Sequence, residues 1–345
     1  MHGGSSPPQV KYNITMSEYL SLFLFFLQLI LNSLVILVGV LVTVAFYTLA
    51  ERKVMAGIQR RKGPNVVGFW GVLQAIIDGL KLVLKENIIP LKADKVLFII
   101  APIISFVLAF SAWAMIPFQA VSTLSDLSIG LLVLFALSSL GVYGIVLGGW
   151  ASNSKYSFLG ALRSTAQMIS YEIVLGTIFL SICALVGSVN LFDILRAQTD
   201  IWFCVPLWPF VLVFVIAMLA ETNRAPFDLP EAEAEIVAGY NVEYSGIAFA
   251  LFFLAEYSNM LLFSALFSIL FLGGGAPFTG YLGILFFICK SLVISASFIV
   301  IRAGLPRLRY DQLMIKSWTI LLPIVFAFFI LIFYAVAWQI SFYSL

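Results

Sequence analysis

The sequence predicts an all-α integral membrane protein of about eight transmembrane helices, with an amphipathic interfacial helix in its first inner-side loop. Three observations carry this. The chain is 62% hydrophobic and 10% charged over 345 residues, with a mean hydropathy of +1.07, too apolar to keep a soluble surface wetted. Its charges cluster, and the gaps between clusters exceed the roughly 20 apolar residues that cross ~30 Å of hydrocarbon. The basic residues then fall almost entirely on one side.

The gaps define the spans in order. Residues 1–18 are polar, hold Gly3, Gly4, Pro7 and Pro8, and have one basic residue, Lys11, so they read as an exposed tail rather than a targeting peptide. The rest, 19–345, reads as one transmembrane domain. Residues 19–50 carry no charge and form span one, longer than the hydrocarbon core needs and therefore expected to tilt or project. Residues 96–120 and 127–150 are uncharged and form spans two and three. Span four, 165–188, has Glu172 as its sole charge; span five, 201–220, has none. The stretch 244–302 is too long for one helix and breaks at GGGAPFTG (273–280), a turn-forming composition, leaving spans six (245–272) and seven (281–303) with one internal charge each, Glu256 and Lys290. Span eight, 317–341, is uncharged.

Orientation follows from Lys and Arg, which stay on the side from which insertion occurs. Of the 19, 16 lie in the loops after odd-numbered spans, leaving Lys11, Arg196 and Lys290. Those loops therefore face the matrix or cytoplasm. A net charge of +2 gives no reason to expect a nucleic-acid partner.

Several chemistries are excluded or disfavoured. The lone His2 lies in the tail, and Cys183, Cys204 and Cys289 sit in apolar spans without CxxC spacing, so neither a metal centre nor an iron–sulfur site is expected. No glycine-rich phosphate loop follows a strand pattern, so the chain by itself should bind neither NADH nor ATP.

What remains is charge in places where lipid makes it expensive. Glu172 is nine residues from Arg163, Glu256 thirteen from Glu243 and Lys290 twelve from Arg302, depths of roughly 13 to 20 Å at ~1.5 Å per residue. Two readings stand for these three: a proton relay with Lys290 as ion-pair partner of a carboxylate, favoured because intramembrane acids are functional by default, and a static packing ion pair. A second constellation is ETNRAPFDLPEAEAEIVAGYNVEYS (221–245), with six acids, Glu221, Asp228, Glu231, Glu233, Glu235 and Glu243, against Arg224. A solvated helix start after Pro230 accounts for Glu231, Glu233 and Glu235; it does not account for Glu221 at the end of span five or for Glu243 leading towards Glu256. A carboxylate chain from loop to mid-membrane is the alternative. The third constellation is the loop after span one. Val72, Leu73, Ile76, Ile77, Leu80, Val83 and Leu84 recur at helical spacing within 69–86, with Asp78, Lys81 and Lys85 elsewhere. It reads either as a plain surface helix with basic anchors or as part of a portal, lined by Asp78 and the Arg52, Arg60 and Arg61 group, through which a lipid-soluble molecule passes from bilayer to protein.

Five segments, ERKVMAGIQRRKGPNVVG (51–68), DGLKLVLKE (78–86), SNSKYSFLGALRSTAQMISYE (152–172), ETNRAPFDLPEAEAEIVAGYNVEYS and RAGLPRLRYDQLM (302–314), resemble the signature segments of the NADH dehydrogenase subunit 1 family, the membrane subunit 1 of NADH:ubiquinone oxidoreductase, respiratory complex I. They occur in family order, and the resemblance spans about 34–338; the tail is longer than the family pattern. The resemblance implies a subunit at the heel of the complex, where the membrane arm meets a peripheral arm that carries the flavin and iron–sulfur clusters. Ubiquinone, as substrate, would enter from the bilayer between span one, the amphipathic helix and span six, with Arg52, Asp78, Phe253 and Arg302 lining its tunnel. Glu172, Glu221, Asp228, Glu231, Glu233, Glu235, Glu243 and Glu256 would form the acidic path that couples quinone chemistry to proton movement. Partners are then the other complex I subunits, ubiquinone and membrane lipids, and the location is the mitochondrial inner membrane, or a bacterial plasma membrane. Two rival functions stay open: the membrane subunit of a related energy-converting hydrogenase, and a proton-coupled secondary transporter.

Overall fold

In the computed structural model the described residues are 16–118, 126–228 and 239–343, and they are helical without strands. Among the described residues eleven α-helices follow one another: α1 Met16–Ile58, α2 Gln74–Leu84, α3 Lys95–Ser111, α4 Gly130–Ala151, α5 Lys155–Val186, α6 Leu191–Arg196, α7 Trp208–Glu221, α8 Gly246–Phe271, α9 Gly280–Gly304, α10 Tyr310–Lys316 and α11 Leu322–Tyr343. Seven segments among the described residues are long and apolar enough to cross a membrane, α10 and α11 counting as one through a π-helical turn at Ser317–Leu321. An eighth, α7, is apolar but only 14 residues long.

Polar caps set the helix starts. The Asp94 carboxylate accepts from the N–H of Val96 and Leu97 ahead of α3, and Ser154 Oγ accepts from Ser157 N–H ahead of α5. The Ser154 cap explains why span four begins at Lys155 rather than at the expected residue 165. At the other end of α5, Gly187 takes φ +75 and stops the helix in the left-handed region that a side chain would oppose. Helix α1 runs 43 residues, beyond the expected end of span one at residue 50, and so projects through Glu51 to Ile58. Residues expected to open span five instead form turns over 201–207, where Cys204 N–H donates to Phe271 O at the end of α8.

Helix α8 is the axis of the bundle. From Met260 to Phe271 every residue is buried, and α3, α9 and α1 pack along it. Helix α5 is the second internal element, flanked by α4, α7 and α11. The outer surface is apolar: Val35 on α1, Leu282 on α9 and Tyr334 on α11 all point outward, as expected of side chains that meet lipid or neighbouring subunits. Helix α2 buries none of its residues and lies against α1 and α8, with Ile76, Ile77, Leu80 and Val83 exposed. That is the expected interfacial helix, shorter than its periodicity because a 3-10 turn takes Phe69–Gly71.

Candidate functional site: a buried ion-pair file beside an acidic cavity

Helix α7 ends inside the bundle. Asn223 adopts φ +51, tolerable for an asparagine, and Arg224 N–H closes on Leu219 O at 3.1 Å. This reversal turns the chain back into the protein. The segment is stitched down by Gln167 of α5, whose Nε2 donates to Ala220 O at 2.7 Å and to Phe227 O at 3.0 Å. The residues from Ala220 to Asp228 are thus buried, Asn223 alone being intermediate. Non-helical backbone is tolerated at such depth only where protein covers it.

The reversal delivers Arg224 to two carboxylates. Its Nε lies 2.9 Å from Glu256 Oε1 on α8, and its Nη1 lies 3.4 Å from Glu51 Oε1 on α1. The same Glu51 oxygen receives Nη1 of Arg302 from α9, and Tyr257 donates its hydroxyl to Glu51 Oε2 at 2.5 Å while its ring lies 4.3 Å from the Arg224 guanidinium. Two cations and two anions therefore alternate, Arg302, Glu51, Arg224, Glu256. Burial by itself would pull the Arg224 guanidinium down, but the carboxylate of Glu256, with Tyr257 and Glu51 beside it, outweighs this and holds it well above its ordinary value. Arg224 is a permanent cation.

Glu256 faces a cavity of about 60 Å³ shared with Glu221, Asn259, Ser105, Ser138 and Tyr240. This is room for several waters, at roughly 10–15 Å³ each. Glu221 Oε2 is buried and, among the described residues, without a hydrogen-bond partner, so a cavity water is its natural one. Glu172, half-buried on α5, accepts from Ser139 Oγ and lies within electrostatic range of Glu221. Three acids of the expected path, Glu172, Glu221 and Glu256, are thus brought to one interior region.

The remaining expected residues distribute as follows. Arg52 and Asp78 meet as an ion pair at 2.5 Å between α1 and α2, half-exposed. Phe253 packs against Tyr257 with ring centroids 4.3 Å apart and planes tilted by 44°, one residue removed from Glu51. Asp228 pairs with Arg307 at 3.0 Å, while Leu308 N–H donates to Pro226 O, so the two loops are clasped together. Glu243 is half-buried ahead of α8. Glu231, Glu233 and Glu235 lie outside the described residues. At residues 239–240, Ser157 Oγ donates to Tyr240 O at 3.0 Å and Gly160 lets the Gly239 backbone approach so closely that a Cβ would meet it at 2.7 Å.

Lys290 is placed differently from its expected role. Its ammonium donates to Leu272 O at 2.6 Å and to Gly274 O and Ala276 O at 2.9 Å, with Trp202 and Phe286 rings at 4.3 and 4.5 Å. Among the described residues it makes no ion pair with a carboxylate. The physical reason is direction: a helical side chain leans towards its own N-terminus, here the 273–280 turn, whose carbonyls at the end of α8 need a donor.

Glu51 is the residue that sequence reasoning missed as a site. A signal existed, because Val40, Val44, Tyr47 and Glu51 follow the spacing of one helical face and are all buried, at 5%, 1%, 6% and 5% exposure. Among the described residues no three His, Cys, Asp or Glu side chains converge as metal ligands.

Comparison with known proteins agrees with this architecture. The profile of the NADH dehydrogenase family matches residues 31–333. The chain is 54% identical over 316 residues to NADH-ubiquinone oxidoreductase chain 1 of Chondrus crispus, covering 90% of this chain and 97% of that one. Against NADH-ubiquinone oxidoreductase chain 1 of Arabidopsis thaliana it is 56% identical over 295 residues, covering 84% and 91%. A bacterial relative, an NADH-quinone oxidoreductase subunit of Paramagnetospirillum magneticum, is 55% identical over 302 residues, covering 86% and 89%. With a match over nearly the whole helical bundle and more than half of the aligned residues identical, the chain belongs to the NADH dehydrogenase family, the one that includes these algal, plant and bacterial proteins.

Proposed function

We propose that this chain is the quinone-channel and proton-coupling membrane subunit of an NADH:ubiquinone oxidoreductase, taking ubiquinone from the bilayer and linking its reduction to proton translocation. Family membership supports the enzyme class, and the rival transporter and hydrogenase readings are not favoured by it. The observation that carries the coupling role is the convergence of Glu221 and Glu256 on one polar cavity, with Glu172 beside it, in a chain otherwise too apolar to tolerate charge. The quinone side rests on Arg52 and Asp78 at the interfacial helix and on Phe253 and Arg302 deeper in, all grouped around the inner end of α1.

The division of labour is physical. A lipid-soluble quinone reaches the exposed apolar face of α2 directly from the acyl chains. Beyond it, charged and aromatic side chains offer hydrogen bonds to a quinone oxygen. Reduction there changes charge in a low-dielectric region, and nearby carboxylates change proton occupancy in response. The redox centres that deliver electrons, and flavin and NADH sites, would belong to partner subunits of the peripheral arm, while membrane-arm subunits would take up the proton movement. The mitochondrial inner membrane is the proposed location, with a bacterial plasma membrane as alternative, since relatives include both NADH-ubiquinone and NADH-quinone forms.

Two measurements on the intact complex test this. A photoreactive ubiquinone should label segments around Asp78 and Arg302 and be displaced by excess ubiquinone; absence of displaceable labelling during turnover would remove the quinone role. Glu221→Gln, nearly isosteric, should leave the complex assembled and lower proton pumping on the order of a hundredfold, the low end of what a proton-transfer group contributes. Unchanged pumping would remove Glu221 from the path.

A further inference from the structure

We propose that Glu51 and Arg224 are positioning residues that join the quinone end of this subunit to its acidic path, an inference that rests on the roles assigned above to Arg302 and Glu256. The four side chains form one file across three helices and a loop, Arg302 from α9, Glu51 from α1, Arg224 from the buried reversal and Glu256 from α8. Its ends differ from its middle. Arg302 is 29% exposed at the quinone side, Glu51 and Arg224 are 6% and 8% exposed, and Glu256 opens on the internal cavity.

The geometry makes the middle of the file a shared resource. Glu51 Oε1 serves two guanidinium groups at once, and Arg224 serves two carboxylates, close to Glu256 at 2.9 Å and more loosely to Glu51 at 3.4 Å. Tyr257 restrains both, through its hydroxyl on Glu51 and its ring under Arg224. When a reduced quinone bearing negative charge draws Arg302 towards itself, Glu51 loses one of its two cations and attracts Arg224. Arg224 then leaves Glu256. With that guanidinium withdrawn, the Glu256 carboxylate takes a proton, which forms one O–H bond there as Glu221, through cavity water, gives one up. No electron enters this chain, and the net proton count of the pair is unchanged. Charge at the quinone is thus converted into proton relocation by an exchange of ion-pair partners, with no need for a continuous water path between the two ends.

The test uses the assembled complex in membrane vesicles, with Glu51→Gln and Arg224→Lys as variants. Infrared difference spectra of quinone reduction identify the Glu256 signal as the carboxyl band that Glu256→Gln removes. In Glu51→Gln and in Arg224→Lys the response of that band should fall on the order of fivefold or more, the scale of a site-to-site coupling, and the proton-to-electron ratio should fall with it, by a larger factor than the quinone reductase rate. A merely structural role would lower rate and ratio together. An undiminished Glu256 response in both variants overturns the proposal. If neither variant assembles, the unaltered complex decides: a band that Glu256→Gln removes and quinone reduction shifts is the expected result, and its absence overturns the proposal. An Arg302→Lys complex with unchanged KM for quinone strikes the underlying quinone reading instead, and does so independently of the band.

Discussion

Two regions of this molecule bury cations in a lipid-facing bundle, and they do so by opposite means. At the inner end of α1, Arg224 and Arg302 are met by carboxylates, Glu51 being shared between them. At the turn beyond α8, roughly 24 Å further along that helix at ~1.5 Å per residue, Lys290 is met by three backbone carbonyls and two aromatic rings. Carbonyls cannot change charge or leave their helix end, so the lysine is a fixed cap. Carboxylates can be protonated and guanidinium groups can trade them, so the inner cluster has more than one arrangement open to it. Buried charge in a membrane protein therefore signals function only when its partners are themselves ionisable.

That contrast breaks first at Arg224. Replacement by Leu strips Glu256 of its guanidinium at 2.9 Å and leaves Glu51 with Arg302 alone. Removing one member of a buried ion pair costs about 3–5 kcal/mol, so Arg224→Leu should abolish assembly, seen as loss of the chain from the NADH-oxidising band on native electrophoresis. Normal assembly would mean that the cluster is not the cation-dependent core described here. Lys290→Met is the matching change at the cap and should cost less, about 1–3 kcal/mol for carbonyls deprived of their donor. It should lower the temperature of thermal inactivation while leaving the proton-to-electron ratio of the surviving complex unchanged. A change in that ratio without loss of stability would erase the distinction between cap and switch.

The two regions were also unequally legible. Gaps between charges were enough to read an all-helical membrane protein, because hydrocarbon thickness sets a minimum run length whatever the packing. They placed span five poorly, since residues 201–207 are as apolar as a helix yet form turns held by α8, a tertiary contact that hydropathy does not register. Glu172, Glu221 and Glu256 stood out for the same reason that lipid penalises them. Glu51 did not, because it opens a visibly charged motif and reads as the first residue outside the membrane; only the continuation of α1 to Ile58 puts it on the buried face of Tyr47. Asp228 was grouped with the acids by proximity in sequence, while its partner Arg307 is 79 residues away. Lys290 was legible as buried and illegible as to partner, because a carbonyl ligand has no sequence identity.

The smallest expected effect is at the exposed border of the inner cluster, and it sharpens the comparison from the side where charge is cheap. Arg52 and Asp78 form an ion pair at 2.5 Å with side chains 49% and 35% exposed, and Gln74 Nε2 donates to the other Asp78 oxygen at 2.9 Å. A pair so open to solvent contributes under about 1 kcal/mol. Asp78→Asn keeps the shape and a hydrogen-bonding oxygen, so assembly and thermal stability should match the unaltered complex. What should change is the entry of the substrate past α2, read as a raised KM for a short-chain ubiquinone with kcat nearly unaltered. A change confined to kcat would place Asp78 inside the coupling machinery with Glu51 and Arg224, and the line drawn here between portal and file would have to move outward to the membrane interface.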